Sequence, residues 1–588
     1  MEFTSRPTLQ GTFGMASSTH WLASSTAMAV LEDGGNAFDA AVAAGFVLQV
    51  VEPHLNGPGG DLPIILAPAG GRVQVLCGQG PAPAAASVDS YTGLGLDLVP
   101  GTGPLAAAVP GAVEAWLVLL RDHGTRRLAE VLRYAIGYAA DGHPAVERIG
   151  GAVAAVRELF ETEWTTSAAL YLDGGRPPVP GALLRNPVLA QTWRRLLAES
   201  AGGSREAEID AARRVWREGF VAEALAASAA RPTMDTSGER HSGFLTADDL
   251  AGFEATYEEP ATFTWNGWTV AKPGLWSQGP VFLQQLALLP DSLEYGTPDY
   301  VHTLVEGTKL AMADREAWYG DRADVTLDAL LAPAYSKARR DLVGDSASYE
   351  LRPGRPDGRP PRLPEPRTRP VPATAGAGEP TVAVDGGTRG DTCHVDVVDR
   401  WGNMISATPS GGWLQSNPVV PELGFPLGTR LQMAWLEPGL PNSLAPGRRP
   451  RTTLSPSLAL RGGDPVLAFG TPGGDQQDQW ALHFLLAVAL RAEVRGGPDL
   501  QGAIDAPNWH TDSFPSSFYP RGSAPGSLVV ESRVGDETVT ALRRRGHDVT
   551  VAPPWSEGRI SAVARDPETG VVSAGANPRG MQGYAVGR

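Results

Sequence analysis

The sequence contains few cysteines and no long apolar run. Only Cys77 and Cys393 occur among 588 residues, which is too few for a disulfide framework or a cysteine-rich metal site. No stretch of about 18 apolar residues predicts a membrane span, and residues 1–20 lack the charged start and apolar core of a secretory signal. These absences predict a cytoplasmic protein that spans no membrane.

Basic residues and clustered histidines are also scarce. Lysine and arginine number 49 against 65 acidic residues, giving a net charge of -16 that argues against nucleic acids and anionic membranes as partners. The ten histidines form no His-x-x-x-His pair beside a glutamate. We therefore expect no metal and no organic cofactor, and a small molecule as the partner.

What remains is the composition of a globular protein, with 42% hydrophobic and 19% charged residues. Residues 23–33 and 37–50 predict helices, with Asn36 as the cap of the second. A hairpin is predicted at residues 64–76, and residues 109–337 are mostly helical in pattern. Strands dominate after residue 392.

A hairpin that begins with a hydroxyl residue is the most informative local feature. Residues 393–398 alternate between two faces, which predicts a half-buried strand. Residues 399–403 predict a turn, and residues 404–408 predict the returning strand. Thr392 stands at the start of this hairpin. As the third residue of the hairpin, His394 points away from Cys393, and we interpret it as a satisfied buried histidine.

The segment before Thr392 is rich in proline and arginine, so residues 352–372 predict an extended, exposed loop. A threonine hydroxyl is a poor nucleophile unless a neighbouring group takes its proton, and its own free α-amine can do so. Cleavage between Asp391 and Thr392 would free that amine. The other interpretation is an ordinary strand-initial threonine, which is common in sheets.

Glycine-rich turns offer further candidate sites. Residues 470–475 end a strand and open a helix, so their backbone N–H groups could hold an oxyanion, or the turn could be purely structural. The loop at residues 53–61 either binds a ligand or packs tightly. Residues 276–280 form either a substrate-side loop or a plain helix start. Residues 449–456 are dense in hydroxyls and cations.

Taken together, these segments resemble the γ-glutamyltransferase family of N-terminal-nucleophile hydrolases over nearly the whole chain. No single motif carries the resemblance. It rests on GMASSTH (14–20), GGNAFDAAVA (34–43), VEPH (51–54) with the glycines at 59–60, VPG (109–111), DTCH (391–394), LSP (454–456) and GTPGG (470–474).

The resemblance implies an α+β protein with a four-layer αββα fold, formed as one intertwined unit. It implies a precursor that cuts itself into a large subunit, residues 1–391, and a small subunit, residues 392–588. Residues 343–391 would be the exposed loop before the cut. The two subunits would stay together as a heterodimer, and further self-association is left open.

The resemblance also implies catalytic roles. Thr392 would be the nucleophile, and its freed α-amine would be the base. Ser410 would be the supporting hydroxyl, and the amides of Gly473 and Gly474 would form the oxyanion hole. The acyl-enzyme would be resolved by water or by an acceptor amine.

Substrate contacts follow from the resemblance as well. Thr452 and Thr453 fall where the family has paired serines that contact the substrate carboxylate. Gln79 or Gly78 stands where the transferases have an arginine for the glutamyl α-carboxylate. The family's next contacts, an asparagine and an acidic residue, align with Gly412 and with the region of Ala434 or Trp435. Three contacts that recognise a glutamyl group are thus predicted to be absent.

Charged and polar residues near the expected pocket could replace the missing glutamyl contacts. Arg430, Gln432, Arg449 and Arg451 lie in segments that the resemblance places near the substrate, and an arginine there could bind an anionic or polar acyl group. Alternatively, and equally well, these arginines could form structural ion pairs with carboxylates of the protein instead of binding the substrate.

Three classes of function remain. The first is a self-processing amidohydrolase or acyltransferase acting on a non-standard acyl substrate, such as an oxamate-like amide or a β-lactam-like acyl amide. The second is a true γ-glutamyl hydrolase or transpeptidase acting on glutathione-like amides. The third is an inactive binding descendant, which the retention of Thr392, Ser410 and the paired glycines disfavours.

Overall fold

The structure is a computed structural model that describes residues 4–367, 392–495, 499–580 and 583–588, without the side chains of 491–495. The predicted cleavage site at Asp391 lies outside the described residues. No described helix is both long enough and apolar enough to cross a membrane.

Strands occur on both sides of the undescribed segment 368–391. Those before it are β1 (Leu9–Gly11), β2 (Gly14–Ser18), β3 (Leu62–Ala67), β4 (Gln74–Gly78), β5 (His143–Pro144), β6 (Leu183–Leu184), β7 (Thr233–Met234), β8 (Arg240–His241), β9 (Thr256–Glu258), β10 (Ala261–Trp265) and β11 (Trp268–Lys272). Those after it are β12 (Val395–Asp399), β13 (Met404–Ala407), β14 (Ser457–Arg461), β15 (Asp464–Gly470), β16 (Trp509–His510), β17 (Ser527–Glu531), β18 (Asp548–Ala552), β19 (Ser561–Arg565), β20 (Val572–Ala576) and β21 (Tyr584–Gly587).

Most helices precede residue 367. They are α1 (Trp21–Glu32), α2 (Ala37–Val51), α3 (Val88–Thr92), α4 (Ala112–His123), α5 (Leu128–Asp141), α6 (Glu147–Ala155), α7 (Arg157–Thr162), α8 (Thr165–Tyr171), α9 (Pro187–Ser200), α10 (Arg205–Glu218), α11 (Phe220–Ala229), α12 (Ala247–Ala251), α13 (Pro280–Ala287), α14 (Pro298–Trp318), α15 (Leu327–Leu331) and α16 (Pro333–Arg340). The later helices are α17 (Gln477–Arg495), α18 (Leu500–Asp505) and α19 (Asp536–Arg544).

Two large antiparallel sheets form the centre of the molecule. In the described residues one has the order β1-β20-β19-β15-β14-β11-β10, and the other has the order β21-β2-β12-β13-β3-β4-β9. Each sheet contains strands from both sides of the undescribed segment. Segments near the two ends of the described chain also meet here, because the Phe13 N–H donates to the Arg588 carbonyl at 2.7 Å.

Apolar side chains fill three spaces around these sheets. Met15, Ile65, Val398, Ala468 and Val563 belong to a core that draws on strands of both sheets. A second core joins one sheet to α1, α2, α4 and α5, and a third joins the other sheet to α13, α14 and α17. The layer order is therefore helix, sheet, sheet, helix, in an α+β fold.

Helix α2 shows how the sequence specifies one of these layers. Its 15 residues are all buried, as its almost wholly apolar sequence predicts. The Asn36 side chain accepts from the N–H groups of Phe38 and Asp39, and the Asp39 carboxylate accepts from the Asn36 N–H, which makes a capping box. The predictions of this helix and of its cap are confirmed.

The structure corrects two predictions about strands. Strand β12 is buried along its whole length rather than half-buried, because helices cover one face of its sheet and the second sheet covers the other. The region predicted as mostly helical also contains β9, β10 and β11. Strands β9 and β10 occupy edges of the two sheets, and β11 lies next to β10. Strand β10 alternates between buried and more exposed positions.

The proline-rich segment is described only in part. Residues 343–367 form irregular structure with one 3-10 turn, Pro356–Gly358. Gly354 is held against α14 because its N–H donates to Asp314 at 2.6 Å and its carbonyl accepts from Trp318 Nε1 at 3.2 Å. The start of the predicted exposed loop is therefore anchored to the body of the protein.

Candidate active site

Thr392 lies shortly before β12, opposite a residue that comes shortly after β13. It forms a backbone bridge with Ser410, and the Cys393 N–H donates to the Pro409 carbonyl at 2.9 Å. The Thr392 hydroxyl donates to the Ser410 hydroxyl at 3.4 Å, and both side chains are buried. The hairpin thus brings together the two hydroxyls that the sequence analysis singled out.

Buried polar groups fix the backbone next to Thr392. The Cys393 thiol donates to Glu52 Oε2 at 2.9 Å, and the Thr19 hydroxyl donates to the same oxygen at 2.6 Å. Asn56 Nδ2 donates to the Cys393 sulfur at 3.0 Å. Burial raises the pKa of the Cys393 thiol, and the nearby Glu52 carboxylate raises it further. The thiol therefore stays protonated and does not compete as a nucleophile.

His394 has partners on both ring nitrogens. Nδ1 lies 2.9 Å from the Thr408 hydroxyl, and Nε2 lies 2.9 Å from Asp396 Oδ1. Burial raises the pKa of Asp396, although His394 opposes that shift. A Cβ atom on Gly470, the last residue of β15, would lie 2.2 Å from His394 Cε1. The imidazole therefore packs under the start of the glycine turn as a satisfied buried group.

The glycine turn between β15 and α17 presents two backbone N–H groups. Gly473 and Gly474 have φ values of 125° and 55°, which favour glycine, and both are buried. Neither N–H donates to another described residue. The turn is held by Asp475, which accepts from the Ser517 N–H at 2.8 Å and pairs with Arg315. Two oriented donors of this kind suit an oxyanion.

The loop before α13 joins this turn to the paired threonines. The Gln278 N–H donates to the Thr452 carbonyl at 2.8 Å, and its side-chain amide donates to the Asp475 carbonyl at 3.3 Å. The Thr452 hydroxyl accepts from the Leu454 N–H at 3.3 Å. The buried Thr453 hydroxyl has no hydrogen-bond partner in the described structure. Residues 276–280 therefore contact both the paired threonines and the glycine turn, and they also lead directly into α13.

Two other predicted contacts also have unused polar atoms. Gln79 is buried, and its Oε1 has no hydrogen-bond partner among the described residues. Arg430 donates through Nε to Asp61 Oδ2 at 2.6 Å, whereas its buried Nη2 has no partner in the part of the chain that the structure describes. A Cβ on Gly411, the residue after Ser410, would lie 3.5 Å from that Nη2. Arg430 thus places one free donor close to the hydroxyl pair.

The remaining predicted contacts are already engaged. Gln432 donates to the Gly101 carbonyl at 3.2 Å and to the Thr429 hydroxyl at 3.0 Å, and it accepts from the Tyr519 N–H at 3.2 Å. Arg449 pairs with Glu258 and Asp321, and Arg451 pairs with Glu316. Arg449 and Arg451 therefore follow the alternative in which these arginines form structural ion pairs with carboxylates.

The sequence analysis missed Arg521, which is 1% exposed. Its Nη1 donates to the carbonyls of Gln432 and Met433, at 3.3 Å and 2.6 Å. Its guanidinium lies 3.7 Å from the centre of the Trp435 ring. Arg521 occurs in an irregular, proline-containing segment far along the chain, so no periodicity or spacing pointed to it.

One cluster of side chains in the described structure has the composition of a metal site. Ligand atoms of His302, Glu306 and His547 lie within 4.8 Å of one another. His302 Nδ1, however, is 2.8 Å from His547 Nε2, and Glu306 is bonded to Lys309 at 2.6 Å and to Arg352 at 3.3 Å. These contacts engage the ligand atoms with one another and with cations. The sequence could not show this cluster because it joins α14 to the segment after α19.

The loop at residues 53–61 packs rather than forming an open cradle. A Cβ on Gly57 would lie 2.3 Å from the Gly412 carbonyl oxygen, and one on Gly60 would lie 2.1 Å from the Ser410 carbonyl oxygen. The Asp61 N–H donates to the Ser410 carbonyl at 2.7 Å. The glycines of this loop therefore let its backbone approach and support the Ser410 segment.

Known proteins resemble this chain over its whole length. The Klebsiella pneumoniae oxamate amidohydrolase proenzyme is 31% identical, with 98% of each chain covered. A solved structure described as LmbA2991HD is 72% identical, has a TM-score of 0.96 and covers 100% of both chains. The cephalosporin acylase from Bacillus halodurans is 26% identical, with a TM-score of 0.81, and the match covers 100% of this chain and 97% of the acylase.

A sequence model of a protein family also matches nearly the whole chain. The model for gamma-glutamyltranspeptidase covers residues 23–587, which include every predicted site residue from Gln79 to Gly474. The chain therefore belongs to the gamma-glutamyltranspeptidase family of hydrolases, and shares its α+β fold with a cephalosporin acylase.

Proposed function

We propose that this protein is a self-processing threonine hydrolase that cleaves an amide whose acyl part is anionic and is not a glutamyl group. The observation that supports it most is the Thr392–Ser410 hydroxyl pair with the unpartnered Nη2 of Arg430 beside it. The outward N–H groups of Gly473 and Gly474 complete the set of groups that acyl transfer needs.

Catalysis requires a precursor cut before Thr392, as the proenzyme relatives suggest. The Thr392 oxygen then attacks the amide carbonyl carbon while the freed α-amine takes the hydroxyl proton. Gly473 and Gly474 donate to the negative oxygen of the tetrahedral intermediate. The C–N bond breaks and the amine leaves with the proton, so the acyl group remains as an ester on Thr392.

The second half of the reaction restores the threonine. A water molecule, activated by the same α-amine, attacks the ester carbonyl and releases the acyl group as an acid. An acceptor amine would release a new amide instead. Ser410 accepts the hydroxyl hydrogen bond of Thr392 and so orients its oxygen before attack.

The choice of acyl group follows from the polar atoms around the site. Gln79 stands where a glutamyl-binding arginine is expected in the family, and it offers an amide in place of a cation. Arg430 instead supplies a free cationic donor near Gly411. Oxamate, the substrate in the name of one relative, carries a carboxylate directly beside the reacting carbonyl. A short acyl group that bears its own carboxylate fits this arrangement.

A γ-glutamyl hydrolase or transpeptidase is the second candidate, and the family match itself favours it. The paired hydroxyls of Thr452 and Thr453 are retained at the position where a substrate carboxylate would bind. This alternative predicts that γ-glutamyl-p-nitroanilide is turned over faster than oxamate.

The test compares the wild-type protein with Thr392→Ala. The wild-type protein should run as two chains, the smaller beginning at Thr392 by mass spectrometry, and should release ammonia from oxamate faster than p-nitroaniline from γ-glutamyl-p-nitroanilide. Thr392→Ala removes the nucleophilic hydroxyl, so it should remain one chain with the α-amine still held in a peptide bond, and it should lose at least about 10⁴-fold in rate.

Thr392→Ser serves as the matched control, because it keeps a hydroxyl and an α-amine. It should still be cut and should retain measurable hydrolysis. A fully active wild-type enzyme that is never cut would refute the mechanism, and faster γ-glutamyl turnover would favour the second candidate.

A further inference from the structure

Arg521 is a buried cation whose hydrogen bonds are incomplete. Its Nε and Nη2 atoms are buried and have no hydrogen-bond partner among the described residues, whereas Nη1 donates to two backbone carbonyls. A buried donor left unpaired costs about 1–3 kcal/mol, and more when the group is charged. An arrangement of this kind calls for an occupant that the protein itself does not supply.

The free atoms form one edge of the guanidinium. In arginine, the N–H groups of Nε and Nη2 point in the same direction and match the two oxygens of a carboxylate. Arg430 offers only Nη2, since its Nε is bonded to Asp61 and its Nη1 contacts the Met433 sulfur at 3.6 Å. Among the unpaired arginine atoms that line this region in the described structure, the Arg521 edge is the bidentate one.

The charges around Arg521 do not balance without a further anion. Burial lowers the pKa of Arg521 to about 9; Glu316 and Asp475 oppose this shift, while Arg451 and Arg315 reinforce it. Both carboxylates are already paired, Glu316 with Arg451 and Arg315, and Asp475 with Arg315. Three arginines against two carboxylates leave one positive charge in this group.

The backbone of Arg521 is also held in an unusual conformation. Its φ is 66°, in the left-handed region that non-glycine residues seldom adopt. Holding such a residue costs of order 1 kcal/mol or more, and strain of this kind concentrates at ligand-binding positions. The conformation directs a large charged side chain into the interior.

The segment that carries Arg521 forms a wall of the active site. Its Ser517 bonds Asp475, the neighbour of Gly474, through both N–H and hydroxyl, at 2.8 Å and 2.6 Å. Phe518 packs with Met433 and with Trp413, which closely follows Ser410 in the chain. The segment therefore spans the space between the glycine turn and the Ser410 strand end.

We propose that the Nε–Nη2 edge of Arg521 binds a carboxylate on the acyl part of the substrate. This inference rests on the proposed function and makes it specific: the substrate is the monoamide of a dicarboxylic acid, and Arg521 is the residue that selects it. Trp435 supports the guanidinium from its face and leaves the edge open to the ligand.

The test uses acid and neutral versions of the same amides, oxamate against oxamide and glutaramate against glutaramide. The wild-type enzyme should prefer one of the acids over its neutral partner by at least about 100-fold in kcat/KM, since two charged hydrogen bonds distinguish them. Arg521→Gln should reduce that preference at least tenfold. It should change kcat/KM for the neutral amide by less than about threefold.

Two further variants guard against a general folding effect. Arg521→Lys keeps the positive charge but lacks the two parallel N–H donors of the guanidinium edge. It should therefore recover only part of the preference for the acid over the neutral amide. Arg339→Gln removes another buried arginine, one that donates to the Leu310 carbonyl at 3.1 Å, and it should leave the preference unchanged. If Arg521→Gln does not fold, Arg521→Lys decides the question.

A binding measurement separates this inference from the catalytic proposal. Calorimetry on the wild-type protein with oxalate or glutarate, which contain no amide to cleave, should show binding that weakens at least tenfold in Arg521→Gln. Binding that depends on Arg521 without hydrolysis by the wild type would refute the catalytic proposal alone. Hydrolysis with unchanged acid preference in both Arg521 variants would refute the role of Arg521.

Discussion

Individual residues around Thr392 are constrained by close packing as much as by chemistry. The hairpin at Thr392, the cap at Asn36 and the burial of His394 all follow from local sequence patterns, and the structure shows each of them. Arg521 and Gln278 do not follow from such patterns. They reach the site through contacts between segments far apart in the chain, and a single sequence carries no periodic signal for those contacts.

Gly473 provides a prediction at this scale. A Cβ at this position would lie 2.3 Å from Trp480 Cζ3, and the φ of 125° disfavours any side chain. Gly473→Ala should therefore displace the N–H groups of the turn and lower kcat by about 10²–10³-fold, the usual loss for one oxyanion donor. Steady-state kinetics on the best amide substrate would measure it.

Gly462 supplies the control, because it also has a positive φ, 60°, but has no atom near its Cβ position. Gly462→Ala should cost about 1 kcal/mol in the free energy of unfolding and leave kcat unchanged. Equal losses of kcat in both variants would show that backbone strain, rather than the position of the donors, is responsible.

At the scale of elements, strands at or next to the edges of the sheets were the hardest features to predict. Strands β9 and β11 lie between predicted helices, and their hydrogen-bond partners, β4 and β14, are distant in sequence. Central strands such as β12 have a stronger signal, because burial on both faces demands apolar residues throughout. Strand β12 nevertheless carries Asp396, which its neighbour His394 satisfies.

The small sheet β16-β17-β18 is tied to the rest of the fold by a charged pair that should respond to pH. Burial alone would lower the pKa of His510, but Glu557 and Asp512 outweigh it and raise the pKa to about 10. His510 Nδ1 lies 2.5 Å from Glu557 Oε2. Because the folded pKa lies above the unfolded value of about 6.5, this stabilisation is complete below pH 6.5 and disappears as the pH rises toward 10.

Urea unfolding at pH 6 and at pH 9.5 should therefore show a loss of more than about 1.4 kcal/mol, the free energy of one pKa unit. His510→Gln should be less stable at pH 6 and should lose less between the two pH values. An identical loss in the variant and the wild type would mean that other groups cause the pH dependence.

The whole molecule is built so that a cut before Thr392 leaves its core unchanged. Strand β12 pairs with β2 on one side and with β13 on the other, and β13 pairs with β3. Apolar clusters also draw on both sides of the cut. The two chains that such a cut would give would therefore share these apolar clusters and could not separate without unfolding.

Size-exclusion chromatography of the cut protein should give a single species containing both chains, even at about 1 M salt, because backbone pairing and apolar packing are not screened. Thermal unfolding should show one transition for both chains. Separation of the chains under native conditions, or two well-resolved transitions, would contradict this view of the core.

The contact between Phe13 and Arg588 has a consequence for rearranging the gene. Because Phe13 lies near the start of the described chain and contacts its last residue, a linker could join the two terminal segments, and the chain could instead open in the segment before Thr392. Once the initiator methionine is removed, such a circular permutant would begin at Thr392. It would possess the nucleophile's free amine from synthesis, so catalysis could be studied apart from self-cleavage.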